Sequence, residues 1–380
     1  MTVTESATST DVVVTREELA SRTILRKDLK PDHAAFLDTK IPGSHNKTNY
    51  PLIGPGVSEN ADQVVPVTVP HGFNLGGAVM PAGVINNLHL HFTAEVFMCF
   101  AGKWQFRWGA DGTDGEAVVS AGDVISIPTW IFRGFTSLTD DAWLFTALGR
   151  DVSGGLIWAP SVIERSAEYG NHLSVDNRII ETAPGEVPQG VEMKRPLTFE
   201  QLTTLRRVST DEMRERLTRF DELQWCDRPF LDSTLPGGGA ELATVVGYGV
   251  TEHRFQQPRL ADPHGMTLAW LRCGPSTGVN RHRMAESEVV IVKDGRLRVT
   301  LNMSDPVSVE LGPYDTLSIP RGAWRQFENG GDDTTLAVLL TGGESRVYLD
   351  WDPAVVAAAR ANDAVIDANG YLALASMLYA

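Results

Sequence analysis

The sequence predicts an all-β-dominated protein built from two copies of one strand-rich domain, with a helical connector and C-terminal helices. Three observations carry this. A shift of 193 residues lays Pro70-His71-Gly72 on Pro263-His264-Gly265, His89 on His282, Glu95 on Glu288 and Gly102 on Gly295. After the loss of one residue, Pro128 falls on Pro320 and Arg133 on Arg325, so one offset persists across the segment and marks a duplicated domain. Within a copy, Trp104, Phe106 and Trp108 alternate with Gln105 and Arg107, the period of a half-buried strand. Gly- and Asp-rich breaks such as 109–115 separate such runs, and many short strands with regular turns suggest a barrel or a sandwich.

Taken in order, residues 1–60 are expected to form a tail and an arm. Residues 1–14 are polar and expected to be disordered. Thr15-x-x-Glu18 is a capping box that starts a short helix through about Arg22. Pro31, Pro42, Pro51 and Pro55 make the following stretch an extended arm, of the kind that wraps a barrel or a neighbouring subunit. Residues 61–150 form the first repeated domain and 151–240 the connector. There Thr198-x-x-Gln201 and Ser209-x-x-Glu212 predict helices near 199–207 and 210–223, and the glycines of 235–240 predict a flexible break. The second domain spans 241–350. In the tail 351–380, Asp352-Pro353 is a helix start for the Ala-rich stretch 353–361, and 372–379 is expected to form another helix.

The chain is 380 residues long, enough for two domains with separate cores, and its 42% hydrophobic and 21% charged residues are ordinary for a globular protein. A net charge of −15 opposes binding to nucleic acid, which needs clustered Lys and Arg, and opposes an anionic membrane surface. No apolar run approaches the ~18 residues of a membrane span, and the start lacks the pattern of a signal peptide. Cys99, Cys226 and Cys273 are far apart and form no CxxC pair, so a reducing cytoplasm is the simplest reading, with Cys99 and Cys273 as small core residues.

The chemistry concentrates in Gly83-x5-His89-Leu90-His91-x3-Glu95-x6-Gly102. His89 and His91 are two apart, so on a strand both face one side, and Glu95 has the same parity. Imidazoles suit Fe, Mn, Ni, Cu and Zn, and two His with one carboxylate is a ligand set of non-haem Fe(II) oxygenases. With Gly122-x5-Pro128 downstream, this cluster resembles the two signature motifs of the cupin superfamily, and the duplicated whole resembles a bicupin. The resemblance covers 61–150 and 241–350 and implies two cupin barrels of the double-stranded β-helix, or jelly-roll, type.

It further implies a metal-dependent dioxygenase, with His89, His91 and Glu95 holding one divalent ion, first of all Fe(II), with Mn, Ni, Cu or Zn as alternatives. The substrate would be a small enolic, phenolic or carboxylate compound, with O2 as co-substrate. A metal-assisted lyase or isomerase in the same pocket and a noncatalytic binding bicupin are the alternatives. A homo-oligomer, a dimer or larger, is expected by analogy with other bicupins.

The chain departs from the cupin pattern where the second motif usually places a fourth ligand. Here Trp130 replaces a glycine and Arg133 replaces a histidine. Arginine stays protonated and cannot ligate a metal. Arg133 then either binds a substrate anion beside the metal or pairs internally with Glu95, and the two readings compete for one carboxylate. Glu95 is also a candidate base. His71 is either a turn residue or a replacement ligand or general base. Trp130, Trp104 and Phe106 are candidate substrate contacts, with core packing as the alternative. In the second domain Met284 stands where His91 stands in the first, so His282, Glu288, Arg325 and His264 form a vestigial site.

Overall fold

The computed structural model describes residues 11–378. The chain divides into two compact units, 29–223 on one side and 11–28 with 224–378 on the other. Each unit is a pair of antiparallel sheets.

In the first unit a six-stranded sheet runs in the spatial order 217–218, 124–127, 95–101, 142–149, 73–80, 48–53. A five-stranded sheet runs 156–158, 85–91, 133–137, 103–108, 115–120. Their inner faces share one core, with Phe97, Cys99 and Ile125 from the first sheet and Trp104, Phe106 and Phe135 from the second. The alternation seen at 104–108 is therefore a real two-sided strand: Trp104, Phe106 and Trp108 are fully buried while Gln105 and Arg107 are half-buried.

The second unit repeats the plan strand for strand. Its six-stranded sheet runs 23–24, 316–319, 288–294, 335–342, 266–273, 241–246, and its five-stranded sheet runs 307–311, 297–301, 325–329, 278–283, 350–351. The edge place held by Leu217–Thr218 in the first unit is held here by Thr23–Ile24, which pairs with Leu317 and Thr316. The N-terminal segment thus belongs to the second barrel. Its helix Arg16–Arg22 is capped by the Thr15 side chain, as the capping box predicts.

Several expectations on local structure are corrected. Residues 1–10 of the expected disordered tail lie outside the described residues, but 11–14 are ordered. Val14 is buried and exchanges two 2.9 Å hydrogen bonds with the Asn302 side chain. The connector helices are shorter than expected, Phe199–Thr203 and Thr210–Glu215. The expected flexible break at 235–240 is a packed turn, with Leu235 and Ala240 in the core. Helix Pro353–Ala361 starts on its Asp352 cap, whereas Leu372–Leu374 is a strand paired with Ala364–Ile366 and only Ala375–Leu378 is helical. No helix among the described residues is long and apolar enough to cross a membrane.

Candidate metal centre

Strand Ile85–His91 carries His89 and His91, and strand Glu95–Ala101 opens with Glu95. The turn between them brings the two sheets together at this point. One ligand atom from each of the three residues lies within 4.8 Å of the others, and all three side chains are buried. This is the only such group of three or more among the described residues.

The histidines are oriented from behind. His89 Nδ1 donates to the Asn87 carbonyl at 2.7 Å, and His91 Nδ1 donates to the Gly155 carbonyl at 3.2 Å. Carbonyls only accept, so each Nδ1 carries the proton and each Nε2 presents a lone pair. His91 Nε2 has no hydrogen-bond partner and lies 3.5 Å from Glu95 Oε2. Burial, and then the nearby Arg133 charge, hold both imidazoles well below the usual histidine range, so both are neutral, the form that ligates a metal. Two neutral imidazoles aimed at one carboxylate, one of them an orphaned buried acceptor, fit a divalent transition metal.

Arg133 pairs internally. Its Nε donates to Glu95 Oε2 at 2.8 Å and one terminal nitrogen donates to the Ile131 carbonyl at 3.0 Å. Both partners are buried, and burial pushes the Glu95 carboxyl up while the guanidinium opposes it. The second barrel makes the same pair, Arg325 to Glu288 at 3.1 Å, with further bonds from Arg325 to the carbonyls of Ala323 and Pro320. Of the two expected roles of Arg133, the internal pair with Glu95 is formed, and its Nη2 remains buried without a partner. The pair leaves Glu95 with capacity to spare, because a carboxylate has two oxygens and about four lone-pair sites.

The three ligand residues open onto a pocket with a cavity volume of about 100 Å³. Aromatic rings of Phe36, Tyr50, Phe97, Phe135 and Trp158 line it, together with Asn49, Asn74 and Asn86. The other expected contacts lie elsewhere. Trp104 and Phe106 are fully buried in the barrel core and do not line the pocket, because their inward faces are taken up by Phe97 and Phe135. Trp130 is 44% exposed, stacks edge-on against Phe92, and borders a separate surface groove. His71 is outside the ligand group. Its Nδ1 bonds the Val69 carbonyl at 2.7 Å, just as His264 bonds the Asp262 carbonyl at 2.7 Å, so both serve their turns. In the second barrel His282 keeps its carbonyl bond, to Asn280, but Met284 fills the place of His91.

Sequence reasoning missed the residues behind the ligands. Asp38 accepts from the backbone and side chain of Asn87, whose carbonyl orients His89. Buried Lys47 pairs with Asp38 and donates to Asn86 at 2.8 Å. Glu59 accepts from Trp158 Nε1 at 2.8 Å and from Leu37 N at 2.7 Å, and Trp158 lies against His89. The duplication itself signals this shell. Phe36-Leu-Asp-x-x-Ile-Pro-Gly43 returns as Phe230-Leu-Asp-x-x-Leu-Pro-Gly237, and Glu59 and Trp158 return at the 193-residue offset as Glu252 and Trp351. The second-barrel pair makes the same bonds, Trp351 Nε1 to Glu252 at 2.8 Å and Leu231 N to Glu252 at 2.7 Å.

Two double-sheet barrels in one chain, the first with a buried His-His-Glu group, agree with the duplicated jelly-roll fold expected from the sequence. No family model matches the sequence, and no curated protein matches it. Solved structures do match. The formate complex of oxalate decarboxylase from Lactobacillus farciminis is 12% identical, with 85% of this chain and 86% of that chain covered and a TM-score of 0.52. A second oxalate decarboxylase, described for its substrate-binding mode and reaction specificity, is 13% identical over 89% of this chain and 80% of that chain, TM-score 0.51. A Bacillus subtilis oxalate decarboxylase described for its Mn(II) centres is 12% identical over 89% and 80%, TM-score 0.50. At such identities the likeness shows the fold.

Proposed function

We propose that this protein is a metal-dependent enzyme acting on a small molecule in its first barrel, with His89, His91 and Glu95 as the ligands of one divalent ion. The observation that carries the reading is the buried, unpartnered Nε2 of His91, facing Glu95 at the head of a pocket. A buried polar atom without a partner is costly, and a cation satisfies it. A bound ion would supply Lewis acidity and open coordination positions. The Asn87 and Gly155 carbonyls fix the two imidazoles, Arg133 fixes Glu95, and the aromatic lining keeps water from the reacting atoms.

A lyase is the reaction class the fold neighbours support, since they are decarboxylases and one is described by its Mn(II) centres. The two-histidine, one-carboxylate donor set favours a second reading, an Fe(II) dioxygenase. The test is metal content by mass spectrometry on untagged protein, followed by turnover of candidate substrates with and without O2. Metal near one per chain with anaerobic turnover supports the lyase; stoichiometric O2 uptake supports the dioxygenase. An absence of metal after anaerobic loading with Mn(II), Fe(II), Ni(II) and Zn(II) overturns both.

A further inference from the structure

The two barrels keep equivalent strand register but differ in what fills them. Asn49 pairs with Ala78 across the first barrel's sheet, and Leu242 pairs with Leu271 at the same place in the second. Gly76 pairs with Thr146 where Ala269 pairs with Leu339. Asn86 pairs with Phe135 where Val279 pairs with Phe327. Leu242, Ala269, Leu271, Val279 and Leu339 all belong to the closed core of the second barrel. Every one of their counterparts lines the first-barrel pocket. Five positions around the ligand residues are therefore smaller or polar where the second barrel has core side chains. A packed interior does not leave such a space without cost, since each lost methylene removes contacts and transfer energy.

We infer that this pocket is a substrate chamber in the space that core side chains fill in the second barrel, and that it takes an uncharged, flat, oxygen-bearing molecule, an enol or a phenol, in preference to a dicarboxylate. The inference rests on the proposed site for its location but not on the metal. Among the described residues lining the chamber there is no Lys or Arg, while Asp32 and Glu95 are acidic. Arg133 does not line the chamber: it stands behind Glu95, fully buried, with its Nη2 buried and without a partner. Lys47 is committed to Asp38 and Asn86. A dianion entering this space would lose its hydration with no cation of the protein to receive it. An uncharged ring meets the aromatic side chains of Phe36, Tyr50 and Trp158, and its oxygen meets Asn49, which lines the chamber and whose Nδ2 is a buried donor with no partner.

The experiment compares binding of catechol, pentane-2,4-dione and oxalate to the full chain by calorimetry and tryptophan fluorescence, with metal stripped and with metal restored. Two variants restore second-barrel side chains, Ala78→Leu and Thr146→Leu, and a third, Asn49→Leu, removes the orphan donor. The expected result is that an uncharged probe binds the parent, and that binding falls by about tenfold or more in each variant. Metal content and melting temperature should stay at the parent value in at least one filling variant, so that lost binding reports lost space. Oxalate should bind no better than to the free ion and be indifferent to Thr146→Leu.

Failure of both uncharged probes with either form of the protein would overturn the inference, as would oxalate binding more tightly than they do. Equal probe binding by folded Ala78→Leu and Thr146→Leu proteins would overturn it too. Probe binding that is lost on filling, in a protein that never takes up metal, would sink the metalloenzyme reading and leave the chamber standing. Stoichiometric metal with oxalate as the preferred ligand would do the reverse.

Discussion

Replacing Arg133 by Met would separate the two roles of Glu95. In the metal-free protein the substitution leaves a carboxylate that is 4% exposed without its guanidinium. Removing one partner of a buried pair costs about 3–5 kcal/mol. At roughly 2–4 °C per kcal/mol for a unit of this size, the first unit should melt roughly 6–20 °C lower. The carboxyl can escape by taking a proton. Its folded pKa is already raised by burial, and loss of the arginine raises it further. The deficit is then small near the unfolded value of about 4.5 and grows as pH rises, so it should be larger at pH 8 than at pH 5. A divalent cation would replace the missing charge, and at a hundredfold excess over Kd it returns about 2.7 kcal/mol. Arg325→Met is the internal control. It breaks the same buried pair, 3.1 Å from Glu288, in a barrel where Met284 replaces the second histidine, so it should lose as much stability with no metal rescue. Calorimetric melting with chelator and with Mn(II) or Fe(II) reads all four states. The reasoning fails if metal-free Arg133→Met melts with the parent, or if metal rescues both variants alike.

Three further outcomes follow from the same geometry. His91→Met copies the second barrel and should abolish metal retention, measured by mass spectrometry, while changing stability by less than about 1.5 kcal/mol in metal-free protein. Burial raises Glu59 to about 7 and Glu252 to about 8, so the stability these groups supply is complete below about 4.5 and lost as pH climbs through those values; urea midpoints should decline from pH 5 to pH 9. Trp130 sits at φ 61, where the second barrel has Gly322 at φ 74, so Trp130→Gly should be more stable than Trp130→Ala by about 1 kcal/mol, against the usual order of these residues.

The duplication and the ligand trio were legible because both are written in residue identity at fixed spacing. His89 and His91 share the parity of one strand, and Glu95 meets them from the start of the next strand, in the facing sheet, across the turn between them. The partner of Arg133 was not legible, since spacing places the guanidinium on the inner face but does not choose between an internal carboxylate and a ligand. The aromatic contacts failed for a related reason. Trp104 and Phe106 alternate as inward residues, yet inward means the packed core at their level of the barrel and the pocket only nearer its head. The shell behind the histidines lies in 36–59, a stretch whose prolines read as an arm. There Asn49 pairs with Ala78 and Leu37 N binds Glu59, so the arm is a wall of the barrel.

The repeated Arg–Glu pair has one more consequence. In the second barrel it persists beside Met284 and a core of buried apolar side chains. A pair that survives there is sufficient for the fold, so its presence in the first barrel is no sign of substrate recognition. What distinguishes the first barrel is the combination the second lacks: His91 in place of Met284, and an emptied interior in front of it. The two features serve one another. A second histidine without the space would sit in the apolar core that holds Met284, and the space without the histidine would be an unfilled cavity. That both occur together, around ligand residues still held from behind by backbone carbonyls, is the argument for a working site.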